Sequence, residues 1–240
     1  MNEDAQKPGG DDRLDCRVKP GTYEHMGRNR LNRGLVARTF KINASRILTS
    51  RQDTPDVLIV SPRWDVMPRP GHHAIVMKDI YDTAICVLTN DCAPILFVDK
   101  DNPIVAAAHI GWREAANNVI ERTIAAMEYL GSRKSNIMAS IGPCAGVDDT
   151  YEVGEKFARL YPNNDPEIEI YMERVSDNKT ILRFQDYVAH RLERCGVESG
   201  HILRTRVDTI NNKDCFSLRR DGPGRGSMIS GIKLMQRTWT

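Results

Sequence analysis

The feature that most constrains this chain is a succession of short apolar, β-branched runs, each closed by Gly, Pro, Asp or Asn. Ile47–Leu48, Val57–Val60, Ala74–Met77, Ala84–Thr89, Pro94–Val98, Ile104–Ala108 and Ile137–Ile141 follow one another in this way. Such runs read as strands, because branched side chains fit a pleated surface while the intervening residues supply the backbone angles of turns. An all-helical bundle is excluded. No run approaches the roughly 18 apolar residues that a membrane-spanning helix needs, so no membrane partner is expected.

Helical periods lie between and after these runs. Met26 to Phe40 reads as a helix carrying many arginines. After Gly111-Trp112, Ala116, Val119, Ile120, Thr123, Met127 and Leu130 recur at three and four, which predicts one long helix stopped by Gly131. Tyr151 to Leu160 reads as a second helix, Tyr161 to Pro166 as a loop, and Phe184 to Cys195 as a helix ending at Gly196. Ile202 to Val207 and Ser227 to Leu234 are the last strands. There is no internal repeat and no linker. The expected fold class is α/β, mixed α+β, as a single layered domain over 16–240, preceded by a polar, disordered tail over 1–15. A chain of 240 residues can enclose such a core without staples.

Charge and cysteine usage narrow the function classes. Lys plus Arg is 34 and Asp plus Glu is 32, a net charge of +2, which argues against a nucleic-acid partner, since that would call for a basic face. The opening MNEDAQKPGGDD lacks the basic and then apolar pattern of a secretory signal. A cytoplasmic, reducing setting is therefore expected, with thiols free for packing, catalysis or metal. The six cysteines, Cys16, Cys86, Cys92, Cys144, Cys195 and Cys215, form no CxxC pair, which argues against a zinc ribbon or a thioredoxin-like site.

A candidate site follows from register. If Asp99-Lys100-Asp101-Asn102 is a tight hairpin with Lys100-Asp101 at its tip, Asp99 pairs with Asn102 and Cys92 faces His109. Their Cβ atoms would then lie about 4.5–5.5 Å apart. Cys92 could be a nucleophile activated by His109, both could ligate zinc or copper, or the pair could simply pack in the core. Thr89-Asn90-Asp91 adds polar groups at the strand end. His109-Ile110-Gly111-Trp112-Arg113 is a strand-to-helix junction, where amides and an Arg can meet an anion.

The same residues carry a family resemblance. Thr89-Asn90-Asp91-Cys92, His109-Ile110-Gly111-Trp112-Arg113, Ile141-Gly142-Pro143-Cys144 with Tyr151-Glu152-Val153-Gly154, and Phe216-Ser217-Leu218-Arg219-Arg220-Asp221-Gly222 occur in this order, after Asn29-Arg30 in an early helix. Together they resemble the bacterial laccase-domain family. That family is also called multicopper polyphenol oxidase or purine nucleoside phosphorylase, and it includes the peptidoglycan editing factor. The resemblance implies a fold shared with the deamidase domain of cytotoxic necrotizing factor. It also implies one zinc site, with copper as the alternative, at which purine nucleosides are cleaved by phosphate or deaminated. Divergent or non-catalytic members and an older assignment as copper-dependent phenol oxidases are the other classes. Several copper sites would need more histidines than the six present.

In the resemblance, Cys92 and His109 match two metal ligands of the family. The third, a His, is replaced here by Asp53, while His73 stands where relatives carry an Asp. One reading is a reciprocal exchange, with Cys92, His109 and His73 as ligands or Asp53 joining as an oxygen ligand; the other is a degenerate site. Glu114 stands where the helix-opening motif has Gly, the Thr-Arg-Gly-Gly-like first strand is missing, and the terminal loop is one residue shorter. Arg113, Arg219, Arg220 and Arg225 are candidates for holding phosphate or ribose oxygens. Asp91 could orient His109, serve as general base or cap a turn, and Cys144 could line the pocket or fill the core. Cys16, Cys86, Cys195 and Cys215 read as packing residues, and His25, His190 and His201 as surface histidines.

Overall fold

The computed structural model describes residues 33–49, 52–60, 71–161, 165–177, 179–223 and 226–235. The expected tail over 1–15, together with Cys16, His25, Asn29-Arg30 and Arg225, lies outside them.

Twelve described strands form three sheets. The largest orders β11 (Ile202–Arg204), β7 (Ile137–Ile141), β5 (Ala93–Asp99), β6 (Ile104–Ile110), β3 (His72–Lys78) and β2 (Thr54–Val60). A second sheet orders β1 (Ile47–Thr49), β4 (Ala84–Thr89) and β12 (Met228–Lys233), and a third orders β8 (Glu152–Val153), β10 (Lys179–Leu182) and β9 (Met172–Ser176).

Alternation along the central strands explains why they read as continuous apolar runs rather than as amphipathic ones. On β3, Ala74 and Val76 face one core, while Ile75 and Met77 face another; on β6, Ile104, Ala106 and Ala108 oppose Val105 and Ala107 in the same way. The first core is closed by helices α3 (Val119–Tyr129) and α5 (Phe184–Arg194). The second is closed by Ile85 and Val87 of β4, so the six-stranded sheet and the β1–β4–β12 sheet pack face to face. The other side of β4, through Ala84 and Cys86, is covered by Val36 and Ala37 of helix α1 (33–40).

A buried polar cluster fastens the helical layer. Arg191 on α5 donates to Glu121 on α3, to Asn118, to Asp165 and to the Tyr187 hydroxyl. Arg194 adds two further bonds to Asp165. Tyr187, Arg191 and Arg194 hold the Asp165 carboxyl below its ordinary range, against the opposing effect of its burial.

Several expectations need correction. The hairpin after β5 is not a two-residue turn: Asp99 accepts the amides of Asp101 and Asn102 at 2.9 and 2.8 Å, and the loop runs over 100–103. The ladder therefore pairs Val98 with Val105 and Pro94 with His109. Cys92 is two positions out of the expected register, and the residue opposite His109 is Pro94. The long helix expected after Gly111 is two: α2 (Trp112–Ala116) ends at Asn117, and Asn118 takes a left-handed conformation, φ 58°, before α3. Asn is among the few residues that visit that region, and here its side chain accepts from Arg191. Tyr151 to Leu160 does not begin as a helix, because Glu152 and Val153 pair with Ile181 and Thr180; α4 (Glu155–Leu160) follows Gly154. The strand expected over Ile202 to Val207 stops at Arg204, shortly before Arg206 turns left-handed at φ 50°.

Candidate metal centre

β3 and β6 are antiparallel, and Ala74 pairs with Ala108. Continuing that register by one residue sets His73 opposite His109, both on the face away from the helical core. Their Nδ1 atoms lie 3.1 Å apart and their rings stack at 5.2 Å between centroids. The chain then turns at Gly111 into α2. Glu114, in the first turn of α2, accepts the Gly111 amide on Oε2 at 2.9 Å, the carboxylate half of a capping box, since glycine has no side chain to return the bond. Its Oε1 lies 3.6 Å from His73 Nε2.

His73, His109 and Glu114 each offer a ligand atom, and these atoms lie within 4.8 Å of one another; among the described residues no other three His, Cys, Asp or Glu side chains do so. The donor chemistry fits a divalent ion. Burial, and then the neighbouring His73, push His109 down to about 3, so its imidazole is neutral and keeps a lone pair. Burial also lowers His73, partly opposed by Glu114 and Asp53. Two nitrogens bound at about 2.0–2.1 Å to a tetrahedral ion lie about 3.3 Å apart, close to the 3.1 Å between the two Nδ1 atoms, so an ion held there would leave His73 Nε2 facing Glu114.

Cys92 is beside this trio. A Cβ placed on Gly111 would sit 2.9 Å from Cys92 Sγ and 2.5 Å from Glu114 Oε2, so the glycine lets both side chains approach. Burial, followed by the charges of Glu114 and Asp91, pushes the Cys92 thiol up to about 12. Asp53 also reaches the site's edge: its amide bonds the Gly71 carbonyl at 2.9 Å, its side chain fills the space beside Gly71, and its charge acts on His73. The structure thus brings Asp53, His73, Cys92 and His109 to one end of the sheet, with Glu114 between them.

The remaining candidates divide. Arg113 is exposed, and its guanidinium stacks 3.9 Å from the Trp112 ring centre while its charge reaches Cys92. Arg219 lies 5.3 Å from the Tyr151 ring centre and donates to the Glu152 carbonyl at 2.8 Å. Arg220 points elsewhere: it donates to the carbonyls of Thr209, Asn212 and Cys215 and to Asp221, and so binds its own loop together rather than facing a ligand. Asp91 accepts the Thr209 hydroxyl and the Arg219 amide, both at 2.7 Å. It caps α6 (Leu218–Asp221), and neither carboxylate oxygen is bonded to His109. Cys144 is fully buried, and Gln185 approaches its sulfur at 3.6 Å.

Three residues without an expected role shape the site. Glu114 stood out in the sequence only as a departure from a pattern; the readable signal was Gly111 and Glu114 at capping-box spacing directly after His109. Tyr151 has a phenol that burial, followed by Cys92, pushes up to about 12, so it remains a neutral donor. Asp208 accepts the amides of Val147, Asp148 and Ile210 and the Thr150 hydroxyl, which ties together the loops that present Cys144 and Tyr151. No local pattern marks a residue that joins two loops.

Comparison with known proteins agrees with this architecture. The family described as multi-copper polyphenol oxidoreductase laccase matches residues 24–235. The chain belongs to this family. A Neisseria meningitidis protein of the DUF152 family superposes with a TM-score of 0.78 at 29% identity, covering 92% of this chain and 86% of its own. The YfiH protein of Bacillus licheniformis shares the fold, with a TM-score of 0.81 at 22% identity over 92% and 85% of the two chains. A Streptomyces coelicolor purine nucleoside phosphorylase is 31% identical over 79% of this chain and 76% of its own length. A purine nucleoside phosphorylase of Bacteroides thetaiotaomicron is 32% identical over 62% of this chain, and the match spans 56% of that protein. No helix among the described residues is long and apolar enough to cross a membrane.

Proposed function

We propose that this chain is a metal-dependent enzyme acting on purine nucleosides, by phosphorolysis with free phosphate or by deamination of adenosine, in the cytoplasm. One observation carries the reading: two neutral imidazoles and a carboxylate converge at a strand-to-helix junction flanked by a thiol and an exposed arginine. The names of the Streptomyces and Bacteroides relatives support the substrate class.

His73 and His109 would hold the ion through neutral nitrogens, with zinc the first choice and copper the alternative. When bound, a divalent ion supplies Lewis acidity to an oxygen of water or substrate. Arg113 would hold phosphate oxygens, since a planar guanidinium presents paired donors to them. Arg219 would flank the same mouth from α6. Tyr151, neutral at physiological pH, would donate a hydrogen bond to ribose or base. Asp91 would act indirectly, by holding Thr209 and the start of α6 in place.

The test is incubation of the metal-loaded protein with adenosine, inosine or methylthioadenosine, with and without phosphate, while free base and deaminated nucleoside are measured. Phosphate-dependent release of base that His109→Ala abolishes is the expected result. Absence of turnover with zinc, copper, cobalt and manganese would overturn the reading.

A further inference from the structure

We propose that Glu114 is a positioning residue: it fixes His73 in the tautomer that carries its hydrogen on Nε2, so that the Nδ1 lone pair is the one turned toward His109. The inference rests on the metal-dependent reading above only for the use made of that lone pair; the tautomer itself belongs to the ion-free chain.

A neutral imidazole has one N–H and one lone pair, and the group that faces one nitrogen decides which is which. His73 has a different partner on each side: Nε2 lies 3.6 Å from Glu114 Oε1, and Nδ1 lies 3.1 Å from His109 Nδ1. Glu114 is held in place by its own helix, since Oε2 accepts the Gly111 amide at 2.9 Å, and the side chains of His73 and Glu114 are only 8% and 14% exposed. A carboxylate can only accept. At 3.6 Å the contact is electrostatic rather than a hydrogen bond, but with little water to screen it it favours the N–H on the nitrogen it faces. Burial lowers the His73 pKa against the pull of Glu114 and Asp53, so the neutral ring has a single hydrogen to place. Nε2 takes it, and Nδ1 is left as the acceptor. His109 then donates through its own Nδ1 in the ion-free chain, which accounts for two like nitrogens 3.1 Å apart. An ion on this pair needs a lone pair on both Nδ1 atoms; His73 already presents one, whereas His109 has to move its hydrogen from Nδ1 to Nε2, with no net proton released from the two rings. Cys92 Sγ, beside the same Gly111, is left to join the ion. Removing a carboxylate that orients a ligating histidine from its far nitrogen typically costs about 10–100-fold in metal affinity.

Long-range 1H–15N correlations of the histidine rings read the tautomers directly, in the full chain labelled with 15N-histidine and stripped of metal by a chelator, with His73→Ala and His109→Ala assigning the signals. The expected result is hydrogen on Nε2 of His73 and on Nδ1 of His109; added Zn2+ leaves the first unchanged and shifts the second to Nε2. Glu114→Gln is the decisive variant. Its amide oxygen still accepts the Gly111 amide, so the cap survives, and its NH2 then faces His73 Nε2 as a donor. The His73 tautomer should reverse and Zn2+ affinity should fall tenfold or more, while circular dichroism and melting temperature stay unchanged, a combination that a merely structural role would not give. Should the variant melt early, the parent spectrum alone decides. A His73 hydrogen on Nδ1 in the parent, or a folded Gln variant with the parent's tautomer or full Zn2+ affinity, overturns the assignment and leaves the metal centre standing. A parent that shows the expected tautomer yet binds no Zn2+ overturns the metal-dependent reading alone.

Discussion

His73 and His109 stand opposite each other across the β3–β6 ladder, with their Nδ1 atoms 3.1 Å apart. Without an ion this contact requires one ring to donate and the other to accept; with an ion both could turn lone pairs to it. A ligand that binds only the folded chain stabilises it, by about 2.7 kcal/mol at a hundredfold excess over Kd. Zinc should therefore raise the melting temperature of the parent chain by several degrees and leave that of His73→Ala or His109→Ala unmoved. Equal shifts in all three proteins would mean that the ion binds elsewhere.

Gly111 is the point where Cys92 and Glu114 meet. A methyl group there would overlap Glu114 Oε2 at 2.5 Å and Cys92 Sγ at 2.9 Å. Gly111→Ala should cost about 1–3 kcal/mol through overpacking and weaken metal binding as Cys92 and Glu114 are displaced beside the histidine pair. Denaturant melts and metal titrations on the same variant check both.

Arg220 and Arg113 should behave oppositely. Arg220 fills several backbone carbonyls of its loop, so Arg220→Ala should destabilise the chain by about 1–3 kcal/mol by leaving acceptors unpaired. Arg113 is exposed, so Arg113→Ala should change stability by less than about 0.5 kcal/mol. It should instead raise KM for phosphate more than KM for nucleoside. Thermal melts and initial rates separate the two effects.

Acid should act on the Asp165 cluster. Asp165 is buried, and Tyr187, Arg191 and Arg194 hold its carboxyl below the usual range. A depressed folded-state pKa gives stability that is present above the unfolded value, near 4, and lost as pH falls through the lower folded value. Asp165→Asn should remove this part of the acid sensitivity and, by stranding the buried Arg191, cost about 3 kcal/mol at pH 7. Denaturant unfolding at pH 7 and at pH 3 measures both. A variant as stable as the parent at pH 7 would show that Glu121 alone balances Arg191.

Most strands were legible because their side chains are buried on both faces, and that leaves an unbroken apolar run; Ile104 to Ala108 is the clearest case. Glu152-Val153 misled because a two-residue strand has no period of its own and exists only through β10. The break between α2 and α3 was hidden for a similar reason: Val119, Ile120 and Met127 keep the apolar spacing while Asn118 alone changes the backbone.

The site divides along the same line. The sequence alone determined that Cys92, His109 and Arg113 sit at strand ends and a helix start, and its ordered motifs named the family. It could not set the register of β5 on β6, because Asp99 capping a longer loop is a matter of a few hydrogen bonds at one turn, and a two-residue slip leaves every side chain on the same face. Only the tertiary structure decided that the partner opposite His109 on the neighbouring strand is His73, and that Glu114, rather than a residue of either neighbouring strand, stands against the far nitrogen of His73. Strand pairing and the helix cap place these donors together across 42 residues of chain, a separation over which no local periodicity operates.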